Sequence, residues 1–200
     1  MNFDLIIQNI SKHITPNAEE TEFFTSLFTY RALGRKEFLL RAGDICRQMS
    51  FVDTGCLKIF HLDNEGVEHI VKFAPEDWWA VDIESFTLHT PSFYSIQAIE
   101  PAGLLQLTRE NYDRLCAEAP KFERFFRILF QNSFIALQRR IQQGLSATAV
   151  ERYHHFQDKY PQLGQRISQK QIASYLGITP EFLSMLRRQL SKGLPGGGAA

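Results

Sequence analysis

Between Gln169 and Arg188 lies a stretch, QKQIASYLGITPEFLSMLRR, whose spacing permits few arrangements. Ile172 and Leu176 sit one helical turn apart and predict a short amphipathic helix. Gly177 is expected to end it, because glycine accepts the left-handed backbone that a tight C-terminal turn needs. Thr179 is expected to cap a second helix. Pro180 suits its first position, and Glu181 suits the positive end of its dipole. Leu183 and Leu186 then turn one face of this helix back onto the first, and Ala173 leaves room where the two cross. The pattern is that of a helix-turn-helix, whose second helix enters the DNA major groove. An ordinary helical hairpin would use the same apolar spacing without any nucleic acid.

The charge distribution favours the first of these. The chain has no net charge, yet residues 1–120 hold 10 Lys/Arg against 18 Asp/Glu, and residues 121–200 hold 12 against 4. An acidic half joined to a basic half that contains the helix-turn-helix is what a regulatory domain attached to a nucleic-acid module looks like. Cys46, Cys56 and Cys116 are odd in number and far apart, so they give neither a disulfide framework nor a metal or cluster site. The start, with Asp4 and no long apolar run, does not read as a signal peptide. No window is long enough to span a membrane, so the expected location is cytoplasmic, with no membrane partner.

Along the chain, residues 3–10 and 16–30 read as amphipathic helices, the second capped by Thr15 with Pro16 at its first position. From Glu37 to about Leu107 the runs EFLL, QMSFV, CLKIF and EHIVKF alternate with turn signals at 42–44, 53–55 and 63–66. This predicts an antiparallel barrel or jelly roll. Thr108 is expected to start a helix. A longer one runs from about Lys121 to Gly144, with Phe122, Phe126, Phe130, Phe134, Leu137 and Ile141 at steps of three and four. That stripe is expected to pack on the roll and also to form a homodimer seam. A further helix, about 147–159 and capped by Ser146, leads through Pro161 and Gly164 into the helix-turn-helix. The expected fold class is α+β, divided as a sensory roll over 1–120, a dimerisation helix over 121–145 and a DNA-binding domain over 146–192. The glycine-rich residues 193–200 are expected to be a disordered tail.

With this order of parts the chain resembles the cyclic-AMP receptor / fumarate-nitrate regulator family of bacterial transcription factors. The local signals are Gly43-Asp44, Val52-Asp53-Thr54-Gly55-Cys56-Leu57-Lys58 and Gly66-Val67-Glu68. The resemblance implies a homodimer on a roughly palindromic operator, RNA polymerase as a further partner, and an effector pocket inside an eight-stranded roll. Family members that bind cyclic AMP hold its ribose with a Gly-Glu pair and its phosphate with Arg-Ser or Arg-Thr. Here Asp82 stands where the carboxylate belongs, and the arginine position falls on Ser92. A phosphate taken out of water without a guanidinium loses its strongest partner. Cyclic nucleotide is therefore not the expected effector, and no cofactor is assigned. Trp79, Asp82, Ser92, Phe93 and Tyr94 are the candidate pocket residues, and Lys58 or Lys72 would be the substitute cations.

For DNA, Ser168, Gln169 and Lys170 at the start of the first helix are expected to donate to phosphates. Thr179, Glu181, Ser184, Met185 and Arg188 are expected on the outer side of a recognition helix over 179–190. Glu181 would face a cytosine amino group, and Arg188 a guanine or a phosphate. In the family the positions of Pro180 and Met185 are often arginine, so this face is less basic. Neither a catalytic constellation nor a cupin-type metal pattern occurs, and no enzymatic activity is expected. The alternative is a small-molecule-binding roll with a helical protein-interaction tail and no DNA binding.

Overall fold

The computed structural model describes residues 1–191. Its strands form two antiparallel four-stranded sheets. One has the order β1(Phe28–Leu33)-β8(Ala102–Thr108)-β3(Gln48–Thr54)-β6(Trp79–Ala80), and the other β2(Phe38–Leu40)-β7(Ser95–Ala98)-β4(Leu57–Leu62)-β5(Glu68–Ala74). This is the jelly roll that the alternating runs predict. Before it come α1 (Asp4–Ser11) and α2 (Ala18–Ser26), and α3 (Ile83–Leu88) lies between β6 and β7. After it come α4 (Arg109–Glu118), α5 (Pro120–Ser146), α6 (Ala149–Lys159), α7 (Leu163–Arg166), α8 (Gln169–Leu176) and α9 (Pro180–Ser191).

By contacts the chain forms two compact units. One comprises residues 1–61 and 71–132, and the other 62–70 and 133 onward, so the tip of the β4–β5 hairpin belongs to the second. The first unit is built on aromatic packing. Phe24 stacks on Phe122 with centroids 4.7 Å apart, and Trp79 meets the edges of Phe51 and Phe126. Each of these side chains is buried, and burial of each contributes about 1.5–3 kcal/mol. The second unit has its own core of Tyr153, Phe156, Tyr160, Leu163, Ile172, Leu176, Leu183 and Leu186.

Three boundaries differ from the sequence expectation. Residues 27–30 are not helical: Phe28 begins β1 and pairs with Leu107, while its ring packs on Phe24. The second helix starts at Ala18 instead of Pro16, because Asn17 and Glu20 form a reciprocal capping box. In the same way α6 is capped by Thr148 with Glu151, whereas Ser146 still belongs to α5, where its hydroxyl donates to the Gln142 carbonyl. Thr108 caps α4 as expected. The tail at 193–200 lies outside the described residues.

Gly55 sits in the β3–β4 turn with φ +83°, and a Cβ there would lie 2.3 Å from the Pro101 carbonyl oxygen. Gly43 also has a positive φ but faces open space. Gly55→Ala should therefore destabilise the fold by about 3 kcal/mol or more, and Gly43→Ala by about 1 kcal/mol. Thermal or urea unfolding of both variants checks the difference; equal losses would mean that the Pro101 contact is immaterial.

Candidate nucleic-acid interface

The turn between α8 and α9 follows directly from Gly177. The glycine is left-handed at φ +67° and ψ +39°. The Ile178 N–H reaches back to the Ala173 carbonyl and the Gly177 N–H to that of Ser174, which is the Schellman closure of a helix. Thr179 caps the next helix by accepting from the Phe182 N–H at 3.2 Å, and Pro180 opens it. Leu183 and Leu186 bury against Ile172, Ala173 and Leu176, so the opposite face of α9 points outward.

On that outward side Thr179, Glu181, Met185 and Arg188 are exposed and Ser184 is half-buried. Ser168, Gln169 and Lys170 are exposed at the start of α8. The structure thus gathers all eight nominated residues at the helix-turn-helix, though Ser168 is partly occupied. Its Oγ accepts from the Gln171 N–H while its own N–H donates to Gln171 Oε1, which completes a capping box, and the hydroxyl donates to the same Oε1. The neighbouring arginine has another task. Arg187 Nε donates to the Tyr153 hydroxyl at 3.0 Å, tying α9 to α6.

Two other side chains that sequence reasoning passed over act at the end of α8. The Schellman turn uses the carbonyls of Ala173 and Ser174 but leaves those of Tyr175 and Leu176 without helical partners. Arg140 Nη2 donates to Tyr175 O at 2.9 Å, and Arg152 Nε donates to Leu176 O at 3.2 Å. Their signal in the sequence was only that they are cations, since nothing in the spacing ties positions 140 and 152 to a carbonyl at 175 or 176.

The stripe on α5 divides in two. Phe122 and Phe126 are buried in the core of the first unit and cannot also line a seam, so that part of the expectation is corrected. Phe130 is half-buried and stacks on Phe126. Beyond it Phe134 is 59% exposed, Leu137 54% and Ile141 55%, and Leu145 extends the same row.

Three of the candidate pocket residues, Asp82, Ser92 and Tyr94, form a closed polar knot. Asp82 is buried and caps α3, with Oδ1 accepting from the Glu84 and Ser85 N–H groups. Its Oδ2 accepts from the Ser92 hydroxyl at 2.5 Å, and Ser92 Oγ accepts in turn from the Tyr94 N–H. Ser85 Oγ accepts from the Cys46 N–H and donates to Thr90 O. Burial pushes the Cys46 thiol pKa up, so it is not a reactive thiolate. Trp79 belongs to the core rather than to a cavity wall. Phe93 is 63% exposed, with its ring against His61 and Tyr94. The substitute cations have partners of their own: Lys58 lies 4.3 Å over the Phe60 ring, and Lys72 donates to Trp79 O. Among the described residues no group of three or more His, Cys, Asp or Glu is placed to hold a metal, and no helix is long and apolar enough to cross a membrane.

Comparison with known proteins agrees with this arrangement. Residues 30–119 match the cyclic nucleotide-binding domain. Over 202 residues the chain is 24% identical to the anaerobic regulatory protein of Haemophilus influenzae, covering 94% of this chain and 77% of that one. Its fold is similar to that of the c-di-GMP-responsive global regulator CLP of Xanthomonas campestris, with a TM-score of 0.72 at 14% identity, covering 92% of this chain and 96% of that one. It is also similar to FixK2 of Bradyrhizobium japonicum, with a TM-score of 0.70 at 16% identity, covering 86% and 89%.

Ser92, which falls on the arginine position expected from the resemblance, brings no cation and spends its hydroxyl on Asp82. Cyclic AMP at millimolar concentration should therefore leave the melting temperature unchanged. A ligand bound by the native state alone would add about 2.7 kcal/mol at a hundredfold excess over its Kd. A saturable rise in thermal-shift measurements would contradict this account of Asp82 and Ser92.

Proposed function

We propose that the chain, whose residues 30–119 match the cyclic nucleotide-binding domain and whose fold is that of the regulators compared above, belongs to the cyclic-AMP receptor / fumarate-nitrate regulator family and acts as a homodimeric, sequence-specific DNA-binding transcription regulator. The observation that carries this reading is the outward face of α9, open to solvent on a helix-turn-helix whose turn is closed by Gly177. Glu181 would accept from a cytosine amino group in the major groove, and Met185 would touch a thymine methyl. Lys170 and Arg188 would neutralise phosphates, with Gln169 and the α8 N-terminus adding neutral donors.

The exposed row Phe134, Leu137 and Ile141 is the proposed dimer seam. Its steps of three and four suit a two-stranded helical pair, and three large side chains left in water on one helix face would be stabilised by covering them. Phe130 borders that row. In the roll, Asp82, Ser92 and Tyr94 satisfy one another, which supports a pocket not specific for cyclic AMP. The chain has no proposed catalytic role, its proposed location is the cytoplasm, and RNA polymerase is the proposed partner at the promoter. The opposing reading, a ligand-binding roll whose helical end contacts only protein, predicts no salt-sensitive binding to any duplex.

Fluorescence anisotropy on a selected operator decides between them. Lys170 and Arg188 from two protomers give four charged phosphate contacts, so log K should fall with log salt at a slope of about −3.6. Lys170→Ala should reduce that slope by about 1.8 and weaken all sequences alike. Binding indifferent to salt, or no binding at any salt, would overturn the proposal.

The seam has its own test. Phe134→Glu with Leu137→Glu should yield folded monomers in sedimentation, because neither side chain supports the core of its own protomer. A dimer that survives both changes would place the interface elsewhere.

A further inference from the structure

The second unit contains three pieces that are far apart in sequence: the C-terminal half of α5, the hairpin tip at 62–70 and the helix-turn-helix. Two polar side chains join them. Arg140, on α5 among the seam residues, spreads one guanidinium nitrogen between the carbonyls of Ile70 and Tyr175, both at 2.9 Å, and its plane lies 3.9 Å over the Tyr175 ring. Ser174, on α8, donates to the Glu68 carbonyl and accepts from the Ile70 N–H at 3.0 Å. The hairpin strand is thus held through its main chain on both sides, by the seam helix and by the first helix of the motif. Arg152 makes a parallel link, donating to Ala147 O at 2.8 Å as well as to Leu176 O.

We propose that Arg140 and Ser174 are positioning residues for two-half-site DNA recognition, fixing the helix-turn-helix to the seam helix through the hairpin tip. The inference rests on the dimeric DNA-binding reading above. A dimer reads a palindrome only if its two recognition helices are held about one helical turn of DNA apart. The seam helix carries the two-fold axis, while α9 carries the reading face. Between α5 and α6 the chain leaves helical geometry at Ala147 and Thr148, which alone does not fix a rotation. A planar guanidinium bridging two carbonyls, with a hydroxyl engaging the next main-chain groups, does fix it. Neither residue is among those nominated to touch DNA, so their effect is on geometry and not on contact. In a bivalent binder, geometry enters through the effective concentration of the second site.

The test uses the full chain and two duplexes, one with the whole selected operator and one with a single half-site. Ser174→Ala should weaken whole-operator binding by about tenfold while half-site affinity stays within about twofold. A series of operators with altered half-site spacing should show a sharp optimum for the unchanged protein and a flattened one for the variant. Ser174→Thr, which keeps the hydroxyl, should restore the optimum. Should Ser174→Ala not fold, Arg140→Met carries the same comparison, because methionine keeps an apolar stem but donates to neither carbonyl. Equal loss on both duplexes, or an unchanged spacing optimum in folded variants, overturns the proposal. Failure of the unchanged protein to bind either duplex instead overturns the DNA-binding reading itself.

Discussion

At the end of α8, two carbonyl oxygens have no partner within their own helix, and the way they are satisfied orders the second unit. Buried or half-buried carbonyls need donors, and leaving one without costs about 1–3 kcal/mol. Gly177 turns the chain so sharply that the carbonyls of Ala173 and Ser174 are used up in the turn, while those of Tyr175 and Leu176 point away from it. Guanidinium groups from α5 and α6 meet them. A cation at a helix C-terminus also complements the helix dipole, so the same bonds are favoured twice. One glycine thereby creates the demand that draws together the helix proposed to dimerise and the helix proposed to read DNA.

The roll answers a similar demand with its own atoms. The N-terminus of α3 is capped by Asp82, and the remaining oxygen of that carboxylate is held by Ser92. The Ser92 hydroxyl is spent on this carboxylate and on the main chain at Tyr94. The segment at 90–95 is pinned to α3 and to the 43–46 turn by main-chain and side-chain bonds that involve no other molecule. Residues 30–119 keep the framework of a cyclic nucleotide-binding domain, with Asp82, Ser92 and Tyr94 bonded to one another within it.

Much of this was legible in the sequence, and the exceptions have physical causes. Strand runs, the long helix and the helix-turn-helix follow from periodicity, and the Gly177 turn from backbone sterics. The helix expected through residue 30 stops at Ser26, because the pattern Phe23, Phe24, Leu27, Phe28 fits a helix face equally well. Only the pairing of Phe28 with Leu107, some 80 residues away, decides against it. The caps at Asn17 and Thr148 were readable from Glu20 and Glu151 three residues on, whereas Thr15 and Ser146 are followed at that spacing by Ala18 and Ala149. Phe122 and Phe126 share the seam's periodicity, yet the core claims them, since a stripe in sequence does not say which neighbour covers each part. Arg140 and Ser174 were invisible because they bind main-chain atoms, which carry no residue identity to pattern-match.

The most direct measurement is selection of bound duplexes from a random pool by the full-length protein, followed by sequencing. A two-fold dimer reading with α9 predicts an enriched inverted repeat, its half-sites centred about 10 base pairs apart, with a cytosine at the position facing Glu181. Enrichment of a single unrepeated motif would contradict the dimeric arrangement, and a pool that stays random would contradict DNA reading by this chain.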